Sequence, residues 1–92
     1  MEIKHTPNAT AGEFVAYENG VEAGKITYKK SKEKQIIVDH TYVNEPFQGT
    51  GLGKVILADV IKYARENAIQ IVPECSYVQK VFDKNEDLRD VL

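Results

Sequence analysis

The chain has no tryptophan, one methionine, three prolines and one cysteine in 92 residues. With Cys75 alone, no intramolecular disulfide can form, so the chain relies on its own core or on a partner surface for stability. No run of eighteen apolar residues exists to cross a membrane as a helix, and Met1–His5 lacks the apolar stretch of a signal peptide, so a cytoplasmic location away from membranes is expected. Basic excess is missing as well. Twelve Lys and Arg against fourteen Asp and Glu leave a net charge of -2, which offers no counterion-release grip on a nucleic acid. Two histidines and one cysteine form no zinc-like spacing, so no metal is expected.

What is present is 42% hydrophobic and 28% charged side chains, suited to one small globular domain spanning residues 1–92. Ile3 opens a short strand, Pro7 to Gly12 reads as a turn region, and Glu13 to Tyr17 resumes an extended pattern. Asn19-Gly20 is a hairpin signal because both residues tolerate positive φ, and it sends the chain back through a strand from Val21 to Tyr28. The polar run Lys29 to Lys34 precedes a β-branched strand from Gln35 to Val43.

After the loop Asn44–Gly51, the residues Leu52, Ile56, Val60, Tyr63 and Ala64, joined by Leu57 and Ile61, recur at helical spacing up to Asn67. Ile69 to Pro73 reads as a further strand with its proline at an end or edge. Ser76 is placed to cap a last helix holding Tyr77, Val78, Val81 and Phe82, followed by a turn through Leu88 and Val91. The expectation is an α+β, sandwich-like fold. A mostly antiparallel sheet is followed by a helix after its fourth strand, one more strand and a helical tail.

Gln48-Gly49-Thr50-Gly51-Leu52-Gly53-Lys54 is the most informative stretch. Three glycines between an apolar strand and an amphipathic helix allow backbone amides to converge on an anion at the positive end of the helix. A P-loop would need glycine in place of Gln48 and Ser or Thr in place of Val55. A dinucleotide fingerprint would need two residues, not one, before the last glycine. The alternative is a turn that only caps the helix.

Gln48-x-x-Gly51-x-Gly53 resembles the Gln/Arg-x-x-Gly-x-Gly/Ala motif of the GNAT superfamily of acetyl-coenzyme A-dependent N-acetyltransferases. Asp39–Val43, Pro46 and Pro73–Tyr77 resemble its minimal single-domain branch. The resemblance implies that Gln48, Gly49, Thr50, Gly51, Leu52, Gly53 and Lys54 receive the coenzyme diphosphate. It also implies that the strand segment from His40 through Thr41, Tyr42 and Val43 borders the pantetheine. The implied partners are acetyl-coenzyme A and an unidentified primary amine, on a monomer or weak homodimer. Tyr42 stands where this branch often has Glu, which weakens any carry-over of a glutamate base.

Beside that resemblance, three side chains are candidates for chemistry. His40 can accept a proton near neutral pH or serve as a structural histidine. Cys75 can relay a proton, take the acyl group as a nucleophile, or simply fill space. Tyr77 can protonate a leaving thiolate or cover the core. With these residues structural, the alternative is a catalytically weak coenzyme-binding or protein-interaction module.

Overall fold

Alternating burial along the first, third and fourth strands, a fully buried Phe14-Val15-Ala16 in the second, and a three-to-four-residue apolar rhythm after Gly51 build one sheet and one long helix. The computed structural model describes all residues from Met1 to Leu92. The elements are β1 (Glu2–Pro7), β2 (Ala11–Glu18), β3 (Val21–Lys30), β4 (Gln35–Val43), α1 (Leu52–Glu66), β5 (Gln70–Pro73) and α2 (Ser76–Lys84). A 3-10 turn at Glu45–Phe47 precedes α1, and another at Glu86–Val91 closes the chain. The fold is α+β. The sheet runs β1-β2-β3-β4-β5, antiparallel through β4, with β5 parallel to β4 because α1 carries the chain back across the sheet.

Asn19 and Gly20 have φ of 53° and 80°, as a tight hairpin with the strand twist requires. β3 continues to Lys30, two residues beyond the expected end, because Lys29 and Lys30 pair with Ile37 and Ile36 and remain in the ladder. The polar turn shrinks to Ser31–Lys34, with Lys34 at φ 63°. Ser76 is not the cap of the last helix but its first residue. The N-cap is Cys75, whose extended backbone makes the transition.

One face of the sheet carries the core. Phe14, Ala16, Ile26, Tyr28, Ile36 and Val38 meet Leu52, Ile56, Leu57, Val60, Ile61 and Ala64 of α1, and α2 adds Val78 and Phe82. Burying each large apolar side chain contributes about 1.5–3 kcal/mol. At the outer end of this layer, His5 stacks on Phe14 with ring centroids 4.1 Å apart and bonds the Tyr28 hydroxyl at 2.5 Å. Tyr63 closes on the same histidine edge-on at 4.5 Å. Gly12 makes room there, since a Cβ would collide with the Tyr28 hydroxyl.

The other face has no helix on it. A bulge in β4 governs what that face displays. Thr27 pairs with His40 and Tyr28 with Val38, which leaves Asp39 as the extra residue. Regular alternation would put Asp39 and His40 on opposite faces. The bulge instead sets both on the open side, where Asp39 accepts a 2.7 Å bond from the Thr27 hydroxyl and lies 3.8 Å from the Lys29 ammonium. That carboxylate side chain is only 7% exposed, so the two partners hold the irregularity in place.

Candidate active site

The site begins where β4 and β5 part. Their pairing ends at Val38 and Pro73, and the Val38 carbonyl accepts both the Glu74 and Cys75 N–H groups at 3.0 Å. Beyond that point β4 runs on to Val43 with no strand on its β5 side, and a gap opens. A cavity of about 570 Å³ fills it, lined by Thr41, Tyr42, Val43, the glycine loop and Tyr77. That volume lies within the range of small-molecule sites.

The far wall is the loop into α1. Gly49 and Gly51 adopt φ of 80° and 81°, a left-handed conformation that disfavours any side chain. A Cβ at either position would meet nothing within 4 Å, so backbone shape, not protein crowding, requires glycine there. The N–H groups of Gly49, Gly51, Leu52 and Gly53 have no acceptor in the protein. Four unspent donors thus surround the positive end of a fifteen-residue helix at the mouth of a cavity.

The remaining loop residues divide by task. The Gln48 side chain donates to the Val43 carbonyl at 3.2 Å and ties the loop to the end of β4. The Thr50 hydroxyl donates to the Phe47 carbonyl at 2.5 Å, so it is used inside the turn. Lys54 is exposed and borders a second cavity between α1 and α2; neither it nor Thr50 lines the main slot.

Cys75, Thr41 and Tyr77 come together on the helix face. The Cys75 thiol donates to the Thr41 hydroxyl at 3.5 Å. Burial pushes the thiol pKa up, but the Thr41 hydroxyl and the backbone of Val78, Tyr77 and Thr41 pull it down by more, leaving it below the ordinary value. A helix N-cap position has this effect on a thiolate. Burial, with the nearby Cys75, raises the Tyr77 phenol, which therefore holds its proton firmly.

His40 is not with them. It is exposed on the open face with Tyr42, their ring centroids 5.7 Å apart, while Thr41 between them turns toward the helices. The candidate residues therefore lie on both faces of β4; Thr41, Tyr42 and Tyr77 line the slot, whereas His40 and Cys75 do not.

Three contributors were not singled out from the sequence. Phe47 and Asn44 line the slot, and the Asn44 side chain anchors its rim to the Glu22 carbonyl at 2.7 Å. Gly24 lets β3 lie close under the end of β4, since a Cβ there would stand 2.6 Å from the Tyr42 carbonyl oxygen. The glycine between Ala23 and Lys25 was a signal for such an approach.

A family model described as GCN5-related N-acetyl-transferase matches residues 13–91. Among solved structures, a GCN5-like protein of Staphylococcus aureus is 32% identical, with a TM-score of 0.75, over 98% of this chain and 85% of its own. A ribosomal-protein-alanine N-acetyltransferase from Brucella melitensis shares the fold at 18% identity and a TM-score of 0.69, over 84% of this chain and 62% of its own. An Elizabethkingia anophelis GNAT family acetyltransferase with acetyl-CoA bound does so at 22% identity and a TM-score of 0.64, over 82% and 52%. No match was found among curated proteins. The matched residues include the parted strands, the glycine loop and the helix behind it, and this chain belongs to the GCN5-related N-acetyltransferase family.

Proposed function

We propose that this protein binds acetyl-CoA in the gap between β4 and β5 and transfers the acetyl group to a primary amine. The observation that carries the reading is the set of four unspent N–H donors at the start of α1, opening on a 570 Å³ slot. Diphosphate oxygens are charged acceptors suited to such donors, and the stretch of β4 left without a β5 partner forms a wall along which a pantetheine arm can lie. When bound, acetyl-CoA supplies an activated thioester whose carbonyl a neutral amine attacks.

Gly49, Gly51, Leu52 and Gly53 hold the diphosphate through main-chain N–H groups. Thr41, Tyr42 and Val43 border the arm and orient the carbonyl. Tyr77, protonated at neutral pH, keeps a proton available to the departing sulfur. His40, on the side left open by the helices, takes the proton from the incoming amine. A second reading is favoured by the lowered thiol pKa at the cap of α2: Cys75 first accepts the acetyl group and then yields it to the amine.

The test is a purified chain incubated with acetyl-CoA and a panel of amines, with release of free thiol followed over time. Amine-dependent release above the nonenzymatic rate is expected. Tight binding of coenzyme A with no release for any amine would defeat the transferase reading and leave a binding module. Recovery of labelled acetyl on Cys75 would distinguish the covalent route from direct attack.

A further inference from the structure

The helices α1 and α2 cover one face of the sheet, and the ladder arranges the residues of the open face in rows. Thr6, Glu13, Thr27 and His40 pair in succession across four strands. The neighbouring row is Lys4, Val15, Lys25 and Tyr42. Both rows end on β4, one at Tyr42 in the slot wall and the other at His40 two residues before it.

Most charges here are already matched. Lys29 lies beside Asp39, and Lys4 beside Glu2 at 4.0 Å. Two half-buried charges of opposite sign remain. Glu13 makes no side-chain hydrogen bond or ion pair, and Lys25 meets no carboxylate, its ammonium resting 5.6 Å from the Tyr42 ring centroid. They belong to adjacent strands and adjacent rows, so they are diagonal neighbours on one face. Beside Glu13 the surface dips into a cavity of about 280 Å³, bordered by Thr6, Asn8, Thr27, Lys29 and Asp39.

We propose that Glu13 and Lys25 form the recognition site for the head group of a free diamino acid, and so set the acceptor class of the transfer reading on which this inference rests. The α-ammonium meets Glu13 and the α-carboxylate meets Lys25. Glu13 and His40 are two strand spacings apart, about 10 Å, and a side chain of three or four methylenes laid along the row carries its terminal amine to His40. A plain polyamine would gain Glu13 but place a second cation beside Lys25. A monoamine would leave both charges unanswered. In the step itself, the neutral side-chain nitrogen forms the amide bond, the thioester carbon–sulfur bond breaks, and the nitrogen's proton ends on the departing thiol.

The experiment compares L-lysine, cadaverine, 6-aminohexanoate and pentylamine as acceptors at saturating acetyl-CoA. L-Lysine is expected to exceed cadaverine and 6-aminohexanoate about tenfold each in kcat/KM, the effect of one charge-assisted contact. Glu13→Gln should lower L-lysine to the level of 6-aminohexanoate and leave 6-aminohexanoate itself unchanged. Lys25→Gln should do the same relative to cadaverine. Equal rates for the four amines, or variants that slow all four alike, would overturn the proposal. If no amine is acetylated, the transfer reading itself falls. The head-group site is then decided by titrating L-lysine into coenzyme A-saturated protein: backbone NMR shifts centred on Glu13, Thr27 and Lys25 that E13Q abolishes uphold it, and their absence overturns it.

Discussion

The hydroxyl of Tyr77 lies so close to Gly53 that a β-carbon on that glycine would stand 2.9 Å from the phenolic oxygen. The first turn of α1 and the first turn of α2 are thereby fitted together, and both line the slot. Gly53→Ala should improve helix propensity by about 1 kcal/mol while forcing the Tyr77 ring aside. Coenzyme affinity is expected to fall several-fold in G53A with little loss of Tm. If the loss comes from the displaced ring, G53A adds nothing further in a Tyr77→Ala background, and calorimetric titration with coenzyme A checks this.

Gly51 has a different reason to be glycine, because only its backbone conformation demands it. Gly51→Ala is expected to cost about 1 kcal/mol of stability and to weaken coenzyme A binding about tenfold by turning its N–H away. Gly51→Asn should be milder, since asparagine tolerates the left-handed region. Equal damage from the two substitutions would mean that the φ of 81° is not the reason.

Thr41 and Cys75 share a hydrogen bond that helps hold the thiol below its ordinary pKa. Thr41→Val removes the hydroxyl partner of the thiol and is expected to raise the midpoint of the pH dependence of alkylation by iodoacetamide. A T41V profile that superimposes on the parent would remove Thr41 from the account of the thiol.

His40 stands on the face of β4 opposite Cys75, next to Thr41 of the slot wall. His40→Ala should lower kcat about a hundredfold, the scale of a lost general base, and leave coenzyme A affinity unchanged. A loss confined to affinity would make it a coenzyme contact instead.

His5 supplies a pH dependence unconnected with the site. Burial, then the nearby Lys30, lowers its pKa in the folded protein. The unfolded chain therefore takes up this proton first as pH falls, so the stability contributed is complete above about 6.5 and is lost as pH drops toward the folded value. Chemical denaturation at pH 7.5 and 5.5 should show this decline, and it should be smaller in His5→Phe. An unchanged pH difference in H5F would assign the decline to other groups.

Much of the architecture was legible because local rules and tertiary packing agree. Asn19-Gly20 needs no help to turn, and the apolar rhythm from Leu52 to Ala64 has only one reading at that length. The glycine loop was legible for the same reason, since its dihedrals are a property of the residues themselves. The sidedness of the site was not. Asp39 and His40 are adjacent, and nothing in their identities announces a bulge; it is fixed by Thr27 and Lys29, which lie on another strand. The cluster of His5, Phe14, Tyr28 and Tyr63 was equally hidden, because it joins four elements that only the finished sheet and helix bring together.

Were β4 to pair with β3 without its one extra residue, everything from His40 onward would change sides. The imidazole and Tyr42 would be driven under the helices, and Thr41 would turn its back on Cys75. Composition, charge and hydrophobic content would all be untouched. Which side chains stand beneath the helices and which face outward is thus a matter of phase along a single strand, and a one-residue slip would scramble the slot wall without deleting any side chain.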